Sequence, residues 1–195
     1  MPKDRKNSDL SQCLDHYVGG ICSGIAFGGM SDCGEEYLED KFAGYHEITW
    51  GIIFHFRTRS QLVLTWDDDE NIGDPFFVNH VDFEKFKKID SLEIQDVSML
   101  QPWDQYIATV LNRFTVLTYE TNYPGESETH RHEVPWAIEL EFEKGPILIG
   151  SMHHGDFLEN KICADEIVVV QNPTIIGKTK EARVSVQGGW KQIIP

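Results

Sequence analysis

The chain has 195 residues, 41% of them hydrophobic and 11% aromatic, which is enough apolar material for a packed interior and excludes a disordered polymer. Its 32 acids outnumber its 17 bases, for a formal charge of −15. That balance argues against direct nucleic-acid binding and against docking on anionic lipid, because both need a basic footprint. The apolar runs are short ("EIVVVQ", "PILIG"), and "MPKDRKNSDLSQ" at the start is charged and lacks an apolar signal core, so the expected location is the cytosol. The four cysteines, Cys13, Cys22, Cys33 and Cys163, form no CxxC pair and are expected to be reduced.

Along the chain, Leu10, Cys13, Leu14, Tyr17, Val18 and Ile21 recur at helical spacing and predict a helix capped by Ser8 or Asp9. "GGICSGIAFGG" follows. It matches neither a P-loop nor GxGxxG, and its glycines are expected to let the helix close on a strand. "GIIFHF" and "LVLTW" read as a hairpin across the turn "RTRSQ", with Ile52, Phe54 and Phe56 inward and Ile53, His55 and Arg57 outward. "DPFFVNH" predicts a further strand. Residues 81–98 form a charged connector with room for one helical turn.

The second half repeats the pattern. "HEITWGIIFHFRTRSQLVLTW" (46–66) aligns without a gap to "HEVPWAIELEFEKGPILIGSM" (132–152), with identities at His46/His132, Glu47/Glu133, Trp50/Trp136, Ile52/Ile138, Phe56/Phe142 and Leu62/Leu148. Upstream, "LDHYVGGI" (14–21) aligns with "WDQYIATV" (103–110). Leu100, Trp103, Ile107, Val110, Leu111 and Phe114 then predict a second helix. "AIELEF" and "PILIG" form the matching hairpin, Ile138, Leu140 and Phe142 facing in and Glu139, Glu141 and Glu143 facing out. "ICADEIVVVQ" and "ARVSV" add strands. The expected fold is α+β: two tandem repeats, each a helix followed by an antiparallel meander, packed as one domain. Repeat one covers about 8–80 and repeat two about 99–171, with an extension over 172–195.

For chemistry, "HEITW" and "HEVPW" lack the second histidine of HExxH, and repetition at one structural position favours scaffold over catalysis. There is no GxSxG elbow. A metal-dependent hydrolase would draw on His130, His132, His153, His154 and Asp156, where His-x-His and a histidine-rich turn offer nitrogen ligands. "DDDE" at Asp67, Asp68, Asp69 and Glu70, with Asp74 nearby, is oxygen-rich but is not a calcium loop. No cofactor is expected. The remaining signal is acidic surface. The "DDDE" turn beside Trp66, and the row Glu139, Glu141 and Glu143, suit a basic protein partner, charge steering the encounter and aromatics such as Trp66, Phe76 and Phe77 anchoring it.

The hairpins "WGIIFHFRTRSQLVLTW" and "WAIELEFEKGPILIG", the strand "ADEIVVV" and the turn "DDDE" together resemble the immunity proteins of bacterial polymorphic and contact-dependent toxin systems. The resemblance spans residues 10–171 and rests on style, with no defining motif. It implies a non-enzymatic cytosolic inhibitor of a toxin domain whose cleft is cationic, such as a nuclease. No site residue carries over from it position by position.

Overall fold

A computed structural model describes residues 5–30, 45–67, 77–121, 132–151, 167–174, 176–177 and 192–193. Within them the chain is mostly antiparallel β-sheet with little helix. It runs α1 (Arg5–Asp15), β1 (Cys22–Met30), β2 (Tyr45–Ile48), β3 (Gly51–Phe56), β4 (Leu62–Asp67) and β5 (Phe77–Val81). Then come α2 (Phe83–Phe86), β6 (Leu92–Asp96), a 3-10 turn at Trp103–Tyr106, β7 (Leu111–Thr121), β8 (His132–Phe142), β9 (Gly145–Ser151), β10 (Ile167–Val170) and β11 (Gln192–Ile193).

The strands form two sheets. Sheet one has the order β5-β4-β3-β1-β6, and sheet two the order β11-β7-β8-β9-β10-β2. Each holds a four-strand meander, β1-β3-β4-β5 or β7-β8-β9-β10, with a later strand on the outer edge of the first. β2 leaves its sequence neighbours and pairs with β10 at the far edge of sheet two, His46 opposite Val169. A single cluster of buried side chains joins the sheets, including Phe27, Ile52 and Phe54 from one and Leu111, Ile138 and Phe142 from the other. The rings of Phe54 and Phe142 stack at 5.9 Å across it.

The two D-x-Y segments meet each other. Ile21 and Val110, corresponding positions in the alignment above, form an antiparallel bridge. The bonds around the bridge come in matched pairs. Gly19 N donates to Leu111 O and Ala108 N to Cys22 O, both at 2.8 Å; Leu111 N donates to Gly20 O at 3.0 Å and Cys22 N to Thr109 O at 2.9 Å. Gly19 (φ 78°) and Ala108 (φ 64°) both take left-handed backbone there. Tyr17 packs on Phe56 at 5.3 Å, and Tyr106 on Phe142 at 5.6 Å.

Several expectations are corrected. The predicted second helix is only the four-residue 3-10 turn: Ile107 is extended and Ala108 left-handed, so the helix cannot propagate, and the β-branched and aromatic run that follows forms the long strand β7. "Helix then meander" therefore describes the first half alone. The stretch "CSGIAFGGM" is itself a strand, β1. The connector holds its one helical turn, α2, with the side chain of Asp82 accepting from Lys85 N at 3.1 Å, but it also holds β6. The strand expected at "ARVSV" lies outside the described residues.

The outer face of sheet one is covered as well. Ile53, expected to face water, is fully buried with Ala26, Val63 and Phe86 in a second cluster. α2 lays Phe86 over that face, and Gly28 leaves room for it: a Cβ there would stand 2.5 Å from Phe86 Cζ. The connector is thus a third layer. Replacing Phe86 by Ala should cost about 3–5 kcal/mol in urea unfolding, the usual range for a buried Phe. Gly28→Ala should destabilise the native chain yet add little in the Phe86→Ala background, because the ring it strikes is gone. Additive losses would contradict this packing.

Candidate functional site

The solvent row of β8 is the part of the acidic surface that the described residues place in full. The pairing of β7 with β8 puts Glu141 opposite Arg113 and Glu139 opposite Thr115. Arg113 Nε donates to Glu141 Oε2 at 2.5 Å, and the two side chains keep 68% and 37% of their exposure. A pair so open to water adds little stability. Glu143 is exposed, and its carboxylate accepts from Val110 N at 3.3 Å. Glu139 is half-buried beside Leu148 of β9. Glu139 and Glu141 share one face of β8 because side chains alternate along a strand, and Glu143 lies in the turn that follows.

Trp66 occupies a different place. It lies on β4, half-buried, and its indole stacks on Trp50 at 5.6 Å and 14°. Its Nε1 donates to Thr49 O at 2.7 Å. The indole is therefore committed inside the chain, and one flank lines a groove of about 300 Å³ with Trp50, Thr65, Asn79, Lys85 and Ile89. Asp67, the first residue of "DDDE", ends β4 next to Trp66 in the chain. The side chain of Asp67 and residues Asp68, Asp69, Glu70 and Asp74 lie outside the described residues, as do Phe76 and the side chain of Phe77.

The histidine cluster falls in the same category. His130, His153, His154 and Asp156 lie outside the described residues. His132 opens β8, but its side chain is not among those described. Among the described residues no group of three or more His, Cys, Asp or Glu is placed to hold a metal ion. His46 is buried in the core, its ring 5.6 Å from Phe27 and 5.3 Å from Trp103. Its alignment partner His132 begins a strand paired with β7, so the repeated His-Glu pairs occupy different pairings. Trp136 is buried in sheet two, whereas Trp50 is only half-buried.

Cys13 and Cys22 are free thiols, and burial pushes both up to about 11, so neither is a ready nucleophile at neutral pH. A further cluster lies on and beside β6, and apart from Leu100 the sequence does not single out its residues. Asp96 accepts from Ser98 N at 2.8 Å, and hydrogen bonds from Ser98 hold its carboxyl below the usual range. Ile94, Met99 and Leu100 are exposed. No alternation or motif marks Ile94 or Met99, and Leu100 reads as the start of the predicted second helix; an exposed apolar residue looks the same in sequence as a buried one.

Comparison with known protein families, curated proteins and solved structures finds no match to this chain.

His80 supplies a pH test of the sheet geometry. Burial holds its pKa below the ordinary 6.5, against the opposing pull of Asp82. The unfolded chain then takes up the proton first as the pH falls. Stability is complete above pH 6.5 and declines as the pH drops from there toward the lowered folded value. His80→Gln should flatten the fall in melting temperature between about pH 7 and pH 5.5. An unchanged slope in the variant would contradict the burial assigned to this ring.

Proposed function

We propose that this chain is a non-enzymatic binding protein that neutralises a basic partner, an immunity protein acting on a cognate toxin domain in the cytosol. The observation that carries the reading is the group of carboxylates at the end of β8, Glu139 and Glu141 half-exposed on the strand and Glu143 exposed in the turn after it, in a chain with net charge −15. Such a group attracts a cationic surface without needing to bury a charge. No helix among the described residues is long and apolar enough to cross a membrane.

The finer architecture belongs to the same proposal. The two meanders descend from one duplicated unit related by a local two-fold axis at the Ile21–Val110 bridge. The matched bond pairs at that bridge, the paired left-handed residues Gly19 and Ala108, and the equivalent Tyr17–Phe56 and Tyr106–Phe142 contacts support it. The first copy kept its helix and the second reduced it to a turn. Duplicated scaffold then left the outward positions to diverge, one sheet covering its outer face with α2, the other lining part of its face with glutamates.

The test uses the protein product of the neighbouring open reading frame as the partner. Neutralising Asp67, Asp68, Asp69 and Glu70 together, or Glu139, Glu141 and Glu143 together, should slow association about tenfold or more at low salt and leave unfolding free energy within about 1 kcal/mol. The loss should shrink as salt rises through the range where the Debye length falls below about 10 Å. If both sets of variants keep the native association rate, these carboxylates are merely solvated surface and the reading fails.

A further inference from the structure

β6 closes one edge of sheet one, and among the described residues its outer side pairs with no strand. Val97 N donates to Ile25 O at 2.9 Å, which sets the phase of the ladder. Glu93, Gln95 and Val97 turn their peptide groups toward β1, while Leu92, Ile94 and Asp96 turn theirs outward. The large hydrophobic side chains exposed among the described residues are Ile94 at 41%, Met99 at 85% and Leu100 at 41%. All three fall on this strand or in the turn that leaves it.

An open edge beside an apolar patch invites pairing, and proteins ordinarily blunt it with proline, lysine or a bulge. Leu92–Asp96 contains neither proline nor lysine and pairs with β1 in unbroken register. It carries Glu93 and Asp96 instead, with Asp90 and Asp104 exposed nearby. Ser98 keeps Asp96 charged through its hydrogen bonds. Acids at the edge oppose self-pairing in a chain of charge −15 and favour a strand of opposite sign.

We infer that the outer edge of β6 takes an extended, lysine- or arginine-bearing segment of a partner protein by strand addition. The main-chain groups of Ile94 and Asp96, with the carbonyl of Leu92, supply the ladder, the Leu92 N–H being already bonded to Ile89 O at 3.4 Å. Ile94, Met99 and Leu100 supply apolar contact, and Glu93 and Asp96 select for cationic side chains. The inference rests on the reading of this chain as a binder of basic proteins, and it names the surface.

The probe is a synthetic peptide of alternating lysine and valine, about eight residues long, matched to a strand of this length. Its control carries N-methyl groups on alternate residues, which blocks pairing and leaves the charge unchanged. Amide exchange of the full chain should slow at least tenfold at Ile94 and Asp96 with the peptide, and not with the control. Ile94→Pro removes only an outward N–H, so it should fold and lose peptide binding at least tenfold. Should that variant fail to fold, Ile94→Lys decides, with the same loss expected. Equal binding of the N-methylated peptide, or protection on β8 in place of β6, overturns the inference and leaves the broader binding reading standing. Protection of the same two amides without peptide, rising with protein concentration, overturns it in favour of a second copy of this chain. Failure of the broader reading is separate: it appears as no complex with the neighbouring gene product, whatever the peptide does.

Discussion

The structure depends on the antiparallel contact between residues 19–22 and 108–111. Four backbone hydrogen bonds and the Ile21–Val110 bridge fix where β1 and β7 begin, and those strands found the two sheets. Unpaired peptide groups at this depth would be costly, so each segment requires the other. The seam also sets which way the meanders face. Tyr17 and Tyr106 enter the core beside it and meet Phe56 and Phe142, whose strands lie next to β1 and β7. Left-handed backbone at Gly19 and Ala108 lets the chain turn from helix or 3-10 turn into strand within a few residues. Ala108 adopts it at a steric cost that glycine avoids.

With the seam in place the two sheets share one core and differ outside it. Sheet one is sealed by Phe86 on α2, which settles over Ala26, Ile53 and Val63. Sheet two presents the glutamate row of β8, with Arg113 as its cationic neighbour. Charge in this chain therefore sits on a rigid ladder as well as at turns, and a rigid charged row loses less side-chain freedom on binding than a mobile loop does. The edge of β6, in the other sheet, carries outward main-chain groups and exposed apolar side chains.

Much of the strand content could be read from the sequence, because alternation is a local signal. Ile138, Leu140 and Phe142 against Glu139, Glu141 and Glu143 gave β8 its faces directly, and "GIIFHF", "LVLTW", "PILIG" and "EIVVV" stand at or within one or two residues of observed strands. The failures have one cause: long-range burial erases the local pattern. Ile53 reads as outward because strand alternation places it opposite Ile52 and Phe54, yet α2 covers it from the connector. β1 was hidden in glycines that are needed where Phe86 presses on Gly28. β7 borrowed helical spacing from Leu100 to Phe114 across a junction where Ala108 ends the helix. Of the candidate site, the β8 row could be read because it alternates. The edge of β6 could not, since only topology tells which strand is last in a sheet.

Under the proposed function this chain neutralises a basic protein by binding it, and the test is co-expression with the product of the neighbouring open reading frame in a bacterial host. The neighbouring product alone should arrest growth, this chain should restore it, and the two should purify as a stoichiometric complex. Failure to restore growth or to form a complex, together with stoichiometric zinc or another transition metal in the purified chain, would contradict it and point to a metal-dependent hydrolase.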